Sequence, residues 1–169
     1  MIQIYTGSGK GKTTAALGLA MRASGWGLRV LFIEFLKPIS SPCGEKESAE
    51  KLGFSIRRIS DKSFIGGITE KLKVETRAAI RNELEEVKNK MRGNEFDLFI
   101  MDELVTAVSL KITPEEDVLS LMDANIAELA ITGRGATEKL IERADLVSDI
   151  HCIKHPYQKG ITSRKGIEY

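Results

Sequence analysis

Ile2-Gln3-Ile4-Tyr5-Thr6-Gly7-Ser8-Gly9-Lys10-Gly11-Lys12-Thr13-Thr14 is the stretch that decides the fold. An apolar strand breaks into a glycine-rich turn and re-enters a helix at Lys-Thr, which is how a phosphate-binding loop is built. Backbone N–H groups ring the helix N-terminus, Lys12 adds a mobile positive charge, and the Thr13 hydroxyl reaches a magnesium ion held by the phosphates. Gly11, Lys12 and Thr13 fit the pattern G-x-x-x-x-G-K-[ST], whereas Thr6 stands where the leading glycine belongs. That departure weakens the bare pattern, and context restores it. Strand, loop and helix follow in the required order, and Gly7, Gly9 and Gly11 are read as leaving the backbone open to phosphate. The plain alternative is a flexible glycine turn. The expected ligand is a nucleoside triphosphate with magnesium, bound by Gly7, Ser8, Gly9, Lys10, Gly11, Lys12, Thr13 and Thr14.

Around this loop, 169 residues suit one domain spanning 1–169, long enough for a real core. The net charge of +1, with both signs interleaved, carries no field of the kind that nucleic-acid or membrane binders use. Neither nucleic acid nor membrane is therefore expected as a partner. No signal peptide or spanning segment is visible, so a soluble, cytoplasmic protein is expected. Cys43 and Cys152 are far apart and lack metal-ligand spacing, and they read as reduced thiols.

Strands alternate with helical segments along the whole chain, the pattern of an α/β domain. Strands are expected at 2–6, 29–35, 54–59, 96–101, 127–132 and 146–153, and helices at 13–24, 70–92, 114–123 and 136–144. The helix at 13–24 is apolar almost all round, which predicts packing on several sides. Ile80, Leu84, Val87 and Met91 recur at helical spacing and predict a core stripe. Thr113-Pro114-Glu115-Glu116 reads as a capping box with proline at the first helical position. Residues 36–45 read as a long loop with Pro38, Pro42 and Gly44, and 60–68 as a second irregular stretch. The fold expected is a single-domain P-loop (RecA-like) α/β fold with a mostly parallel, about six-stranded sheet flanked by helices.

The strand at 96–101 runs into Asp102 and Glu103. In phosphate-loop proteins such a strand lies near the first, so its acids reach the neighbourhood of Thr13 and can hold hydrated magnesium; the alternative is a solvated turn. Thr132-Gly133-Arg134-Gly135 places an arginine at the carboxyl edge of a parallel sheet, where ligands bind, although a surface arginine in a turn is as common. Lys154-His155-Pro156 follows another strand at that edge, with a structural histidine as the default.

Taken in order, Thr6-Gly7-x-Gly9-Lys10-Gly11-Lys12-Thr13-Thr14-Ala15-Ala16-x-Gly18, Arg22-Ala23-x-Gly25, Phe35-Leu36-Lys37, Asp102-Glu103-Leu104, Thr132-Gly133-Arg134-Gly135, Ala144-Asp145-Leu146-Val147, Lys154-His155-Pro156 and Lys165-Gly166-Ile167-Glu168-Tyr169 resemble the ATP:corrinoid adenosyltransferases of the cobalamin pathway. The resemblance covers nearly the whole chain. It implies that a corrinoid reduced to cobalt(I) attacks the 5′ carbon of ATP, releasing tripolyphosphate. The nucleophile is then the corrinoid, which agrees with the lack of a Ser/His/Asp or Cys/His set in the sequence. The resemblance further implies that Lys12 and Arg134 stabilise charge on the departing triphosphate. It adds Arg22, Arg134, Lys154 and His155 to the ATP ligands, and assigns magnesium to Thr13, Asp102 and Glu103. ATP would lie reversed in the loop relative to kinases.

Two departures from the family pattern stand out. Relatives carry an aromatic pair after the third strand that displaces the lower ligand of cobalt(II). Here Phe64 matches the first, as a corrinoid contact, while Ile65-Gly66-Gly67 offers no second aromatic. Some relatives also carry a leading extension over the active site, so the 36–45 loop or a partner subunit is expected to cover it. A homodimer and an electron-donating reductase or flavoprotein are the expected partners. The competing readings are a P-loop ATPase or small-molecule kinase using Glu103 on the attacking group, and a non-catalytic ATP-binding or corrinoid-chaperoning protein.

Overall fold

The computed structural model describes residues 1–60, 69–156 and 160–167. Its strands are β1 (Ile2–Thr6), β2 (Val30–Pro38), β3 (Ser55–Ser60), β4 (Leu98–Asp102), β5 (Glu128–Thr132) and β6 (Leu146–Asp149). Its helices are α1 (Lys12–Gly25), α2 (Gly44–Lys51), α3 (Glu70–Arg92), α4 (Leu104–Ser109), α5 (Glu115–Asp123) and α6 (Glu138–Arg143). The strands form one sheet in the order β3-β2-β4-β5-β1-β6, and every pairing is parallel. The expected mostly parallel, six-stranded α/β architecture is what the molecule has, with the sheet wholly parallel.

Strand alternation divides the sheet into two apolar faces. Ile2, Ile4, Leu31, Ile33, Phe35, Phe99, Met101, Leu129 and Ile131 point toward α3, α4, α5 and α6, where the stripe Ile80-Leu84-Val87-Met91 is buried. Each such side chain contributes about 1.5–3 kcal/mol relative to exposure. Val30, Phe32, Ile56, Leu98, Ile100 and Ala130 face the opposite way, onto α1 and α2. The small residues Ala16, Ala20 and Ala23 let α1 lie close on that face.

Several expectations change. Helix α1 is not packed on several sides: its outer apolar residues Leu17, Gly18 and Met21 line an open cavity instead. Strand β2 continues to Pro38 and α2 begins at Gly44, so the expected 36–45 loop shrinks to residues 39–43. Strand β6 ends at Asp149 rather than 153, because the Ile150 carbonyl turns to accept from Gly9 N–H at 2.7 Å. Pro114, not Thr113, occupies the N-cap of α5, and the buried Thr113 hydroxyl has no partner among the described residues. No described helix is long and apolar enough to cross a membrane.

Candidate active site

The carboxyl ends of β1, β4 and β5 meet the N-terminus of α1, and the site is assembled there. Gly11, at φ 121°, is the N-cap of α1, and no side chain caps that end. The first turn carries no acidic residue either, so its free N–H groups form an anion-binding concavity. The buried Lys12 folds over the loop and donates from Nζ to Gly7 O at 2.8 Å and Gly9 O at 2.6 Å. Burial, and then the nearby Arg134 charge, lowers its pKa from the usual lysine value.

Gly7 and Gly9 turn out to have a second purpose. A Cβ on Gly7 would stand 2.2 Å from Asp149 Oδ1 and 2.4 Å from Ile150 O, and one on Gly9 2.7 Å from Ile150 O. These glycines therefore admit the segment after β6 against the back of the loop, in addition to any phosphate in front.

Asp102, at the end of β4, has no exposed surface. It accepts from the Thr13 hydroxyl at 3.0 Å and the Thr132 hydroxyl at 2.6 Å. Burial pushes its carboxyl up to about 6, against the opposing pull of Lys37 and Thr132. Thr132 Oγ1 in turn accepts from Glu103 N–H at 3.0 Å. Glu103 takes a left-handed backbone, φ 65°, uncommon for a non-glycine residue and a feature of functional turns. Its carboxylate accepts from the Thr106 hydroxyl, whose oxygen accepts from Arg134 N–H at 2.8 Å. Two threonine hydroxyls thus fasten the ends of β4 and β5 together and set Glu103 and Arg134 on one rim.

The cavity above this floor has a volume of about 800 Å³. Gly9, Lys10, Gly11, Lys12, Thr13 and Thr14 form its polar end, with Glu103 and Arg134 beside them. Leu17 and Met21 of α1, Ala49 of α2, Leu52 just past its end, and Phe54 form an apolar wall opposite. His155, Gly166 and Ile167 close one side, where Lys10 Nζ donates to Ile167 O at 3.4 Å. Ser8 is exposed on the loop.

Of the expected residues, Gly7, Ser8, Arg22, Asp102 and Lys154 do not line the cavity. Arg22 lies in the last turn of α1, ten residues and so roughly 15 Å along the axis from Lys12. Lys154 is exposed, and its carbonyl accepts from the Cys152 thiol. Phe64 falls outside the described residues. Lys37 and Glu45, from the 36–45 stretch expected to cover the site, line the cavity; the apolar wall has no expected counterpart, and the doubled apolar face of α1 was its one trace in the sequence.

A model of the family described as ATP:corrinoid adenosyltransferase BtuR/CobO/CobP matches residues 1–169. The chain belongs to that family. Among curated relatives, it is 33% identical over 171 residues to the corrinoid adenosyltransferase of Escherichia coli K12, covering all of this chain and 85% of the relative. It is 32% identical, with the same coverage, to corrinoid adenosyltransferase CobA of Salmonella typhimurium LT2. In fold it resembles the flagellar accessory protein FlaH of Methanocaldococcus jannaschii, with a TM-score of 0.55 at 12% identity over 88% of this chain and 69% of that one.

Proposed function

We propose that this chain, acting as one nucleotide-binding domain over residues 1–169, transfers the 5′-deoxyadenosyl group of ATP to the cobalt(I) of a corrinoid and releases tripolyphosphate. The observation that carries the reading is a phosphate loop opening onto an apolar-walled cavity, in a chain of this family. A kinase needs room for a small hydroxyl substrate at the terminal phosphate; here the loop opens instead onto a wide apolar wall suited to a macrocycle.

In this reading the loop N–H groups of 7–14, the cations Lys10, Lys12 and Arg134, and the His155 imidazole hold the triphosphate and offset the charge it gains on leaving. Arg22 and Lys154 are the weaker members of the proposed ATP set, given their positions. The cobalt(I) corrinoid supplies the electron pair that forms the cobalt–carbon bond as the bond from the 5′ carbon to the triphosphate breaks. No side chain is asked to be a nucleophile.

The oxygen donors Thr13, Asp102 and Glu103 fit a hard divalent cation. A fully buried carboxylate aimed at the loop threonine is the observation that favours magnesium here. Bound there, magnesium would draw charge from the phosphate oxygens. Phe64 is proposed to contact the corrinoid, an electron-donating reductase or flavoprotein to supply cobalt(I), and a second copy of the chain to complete the enzyme in the cytoplasm.

Corrinoid dependence tests the reading. ATP should be consumed only when a chemically reduced cobalt(I) corrinoid is present; equal consumption without corrinoid would favour the ATPase or kinase alternative.

A further inference from the structure

Beside the metal-binding floor lies a group of charged side chains that the mechanism above does not use. Glu34, inside β2, is completely buried. One of its carboxylate oxygens accepts from Lys37 Nζ and the other from Arg58 Nε at 2.5 Å. Arg58 also donates to Pro38 O and Ser41 O, both at 2.7 Å, so its guanidinium is committed to Glu34 and to the backbone at the end of β2 and in the turn after it. Lys37 is placed differently. Its Nζ lies 3.7 Å from Asp102 Oδ2 and 3.8 Å from Glu45 Oε1 in addition to its bond with Glu34, and it lines the cavity. Three carboxylates thus share two cations, and Lys37 is the one in reach of all three.

We propose that Lys37 and the nucleotide's divalent cation compete for Asp102, so that Lys37 sets how tightly the site holds metal. This rests on the reading that Thr13 and Asp102 bind that cation. Lysine is a compact charge on a flexible stem. If its ammonium leaves Asp102, it keeps Glu34 and Glu45 within 4 Å, so withdrawal costs little and is reversible. Asp102, by contrast, is buried and among the described residues has only the two threonine hydroxyls besides Lys37, and it gains most from a new cation. Glu34, Cys43 and Glu45 also bring possible ligand atoms within 4.8 Å of one another. Both Glu34 oxygens are already held by cations, however, so this cluster acts as the resting place for Lys37 rather than as a second metal site. Because Glu45 stands in the first turn of α2, the same exchange joins the metal floor to the helix that carries the apolar wall.

The test uses Mn²⁺ as the probe, titrated into the full-length protein saturated with ATP and without corrinoid, so that no transfer occurs; free Mn²⁺ is read from its electron paramagnetic resonance signal. Lys37→Met should raise Mn²⁺ affinity by about tenfold, the order expected when a unit positive charge is removed from within 4 Å in a partly solvated site. Lys37→Arg should stay near wild type. Glu34→Gln should lower the affinity severalfold, since it removes the alternative anchor and leaves Lys37 to Asp102. Unchanged or weaker Mn²⁺ binding by a folded Lys37→Met would overturn the proposal and make Lys37 a structural latch. Should that variant fail to fold, an unchanged or raised affinity in Glu34→Gln overturns it equally. Wild-type protein that holds Mn²⁺ no better than Asp102→Asn would instead overturn the metal assignment itself, and the proposal with it.

Discussion

Replacing Gly9 by alanine separates two explanations of the glycine-rich loop. If glycine is needed only so that phosphate can approach, Gly9→Ala should weaken ATP binding and leave the folded protein as stable as before. The structure says otherwise: the added Cβ would meet Ile150 O at 2.7 Å, His151 C at 2.8 Å and Cys152 N at 3.0 Å. All three are backbone atoms, so no side chain can swing aside. Either the loop or the segment after β6 must shift, and the 2.7 Å bond from Gly9 N–H to Ile150 O goes with it. Overpacking of this kind costs about 1–3 kcal/mol and the lost bond about 0.5–1.5 kcal/mol, so a destabilisation of roughly 2–4 kcal/mol is expected. In a domain of this size that lowers the melting temperature by roughly 4–16 °C. Thermal and urea unfolding without nucleotide would measure it. A Gly9→Ala protein with wild-type stability and impaired ATP binding would refute the packing argument.

Further outcomes follow from the site. Lys12→Ala should reduce ATP affinity at least tenfold, as loss of a charge-assisted contact worth about 1.5 kcal/mol or more requires; calorimetric titration with ATP checks it. Asp102 titrates near 3.8 unfolded and about 6 folded, so the folded chain holds the proton more tightly. Its contribution is therefore full below pH 4 and is lost as pH rises to about 6, by about 3 kcal/mol in all. Urea titrations in chelator across that range should show this slope, and Asp102→Asn should flatten it. Thr113→Val should stabilise the fold by about 1 kcal/mol in urea, because it removes a buried hydroxyl that has no partner among the described residues. Phe64→Ala should slow transfer starting from cobalt(II) much more than transfer starting from chemically prepared cobalt(I); equal losses would make Phe64 a general binding residue.

Much of this architecture is legible in the residues because pattern and packing agree. The run from Ile2 to Thr14 is strand, loop and helix as read, and the stripe Ile80-Leu84-Val87-Met91 is buried as its spacing requires. What escapes reading has particular causes. Helix α2, Gly-Glu-Lys-Glu-Ser-Ala-Glu-Lys, buries only Ala49 and so has no apolar period to reveal it. Helix α4 has six residues, too few to repeat its stripe. Thr113 carries the letters of a cap, but the chain enters α5 one residue later and tertiary packing buries the hydroxyl. At the site, Thr13, Asp102, Glu103 and Arg134 converge as the strand ends imply. Lys37 stands in a family motif, but its contacts do not show in sequence, because its partners Glu34, Glu45 and Asp102 come from three different elements. The apolar wall is hidden for a related reason: an all-apolar helix reads as doubly packed, whereas one of those faces of α1 lines the cavity.

The central claim is that the bond broken in ATP is the one at the 5′ carbon. Phosphorus magnetic resonance of the products, with ATP and a cobalt(I) corrinoid as the only reactants, tests it most directly. Intact tripolyphosphate, formed one for one with a corrinoid carrying the adenosyl carbon on cobalt, is the predicted result; ADP with orthophosphate or a phosphorylated product would contradict it.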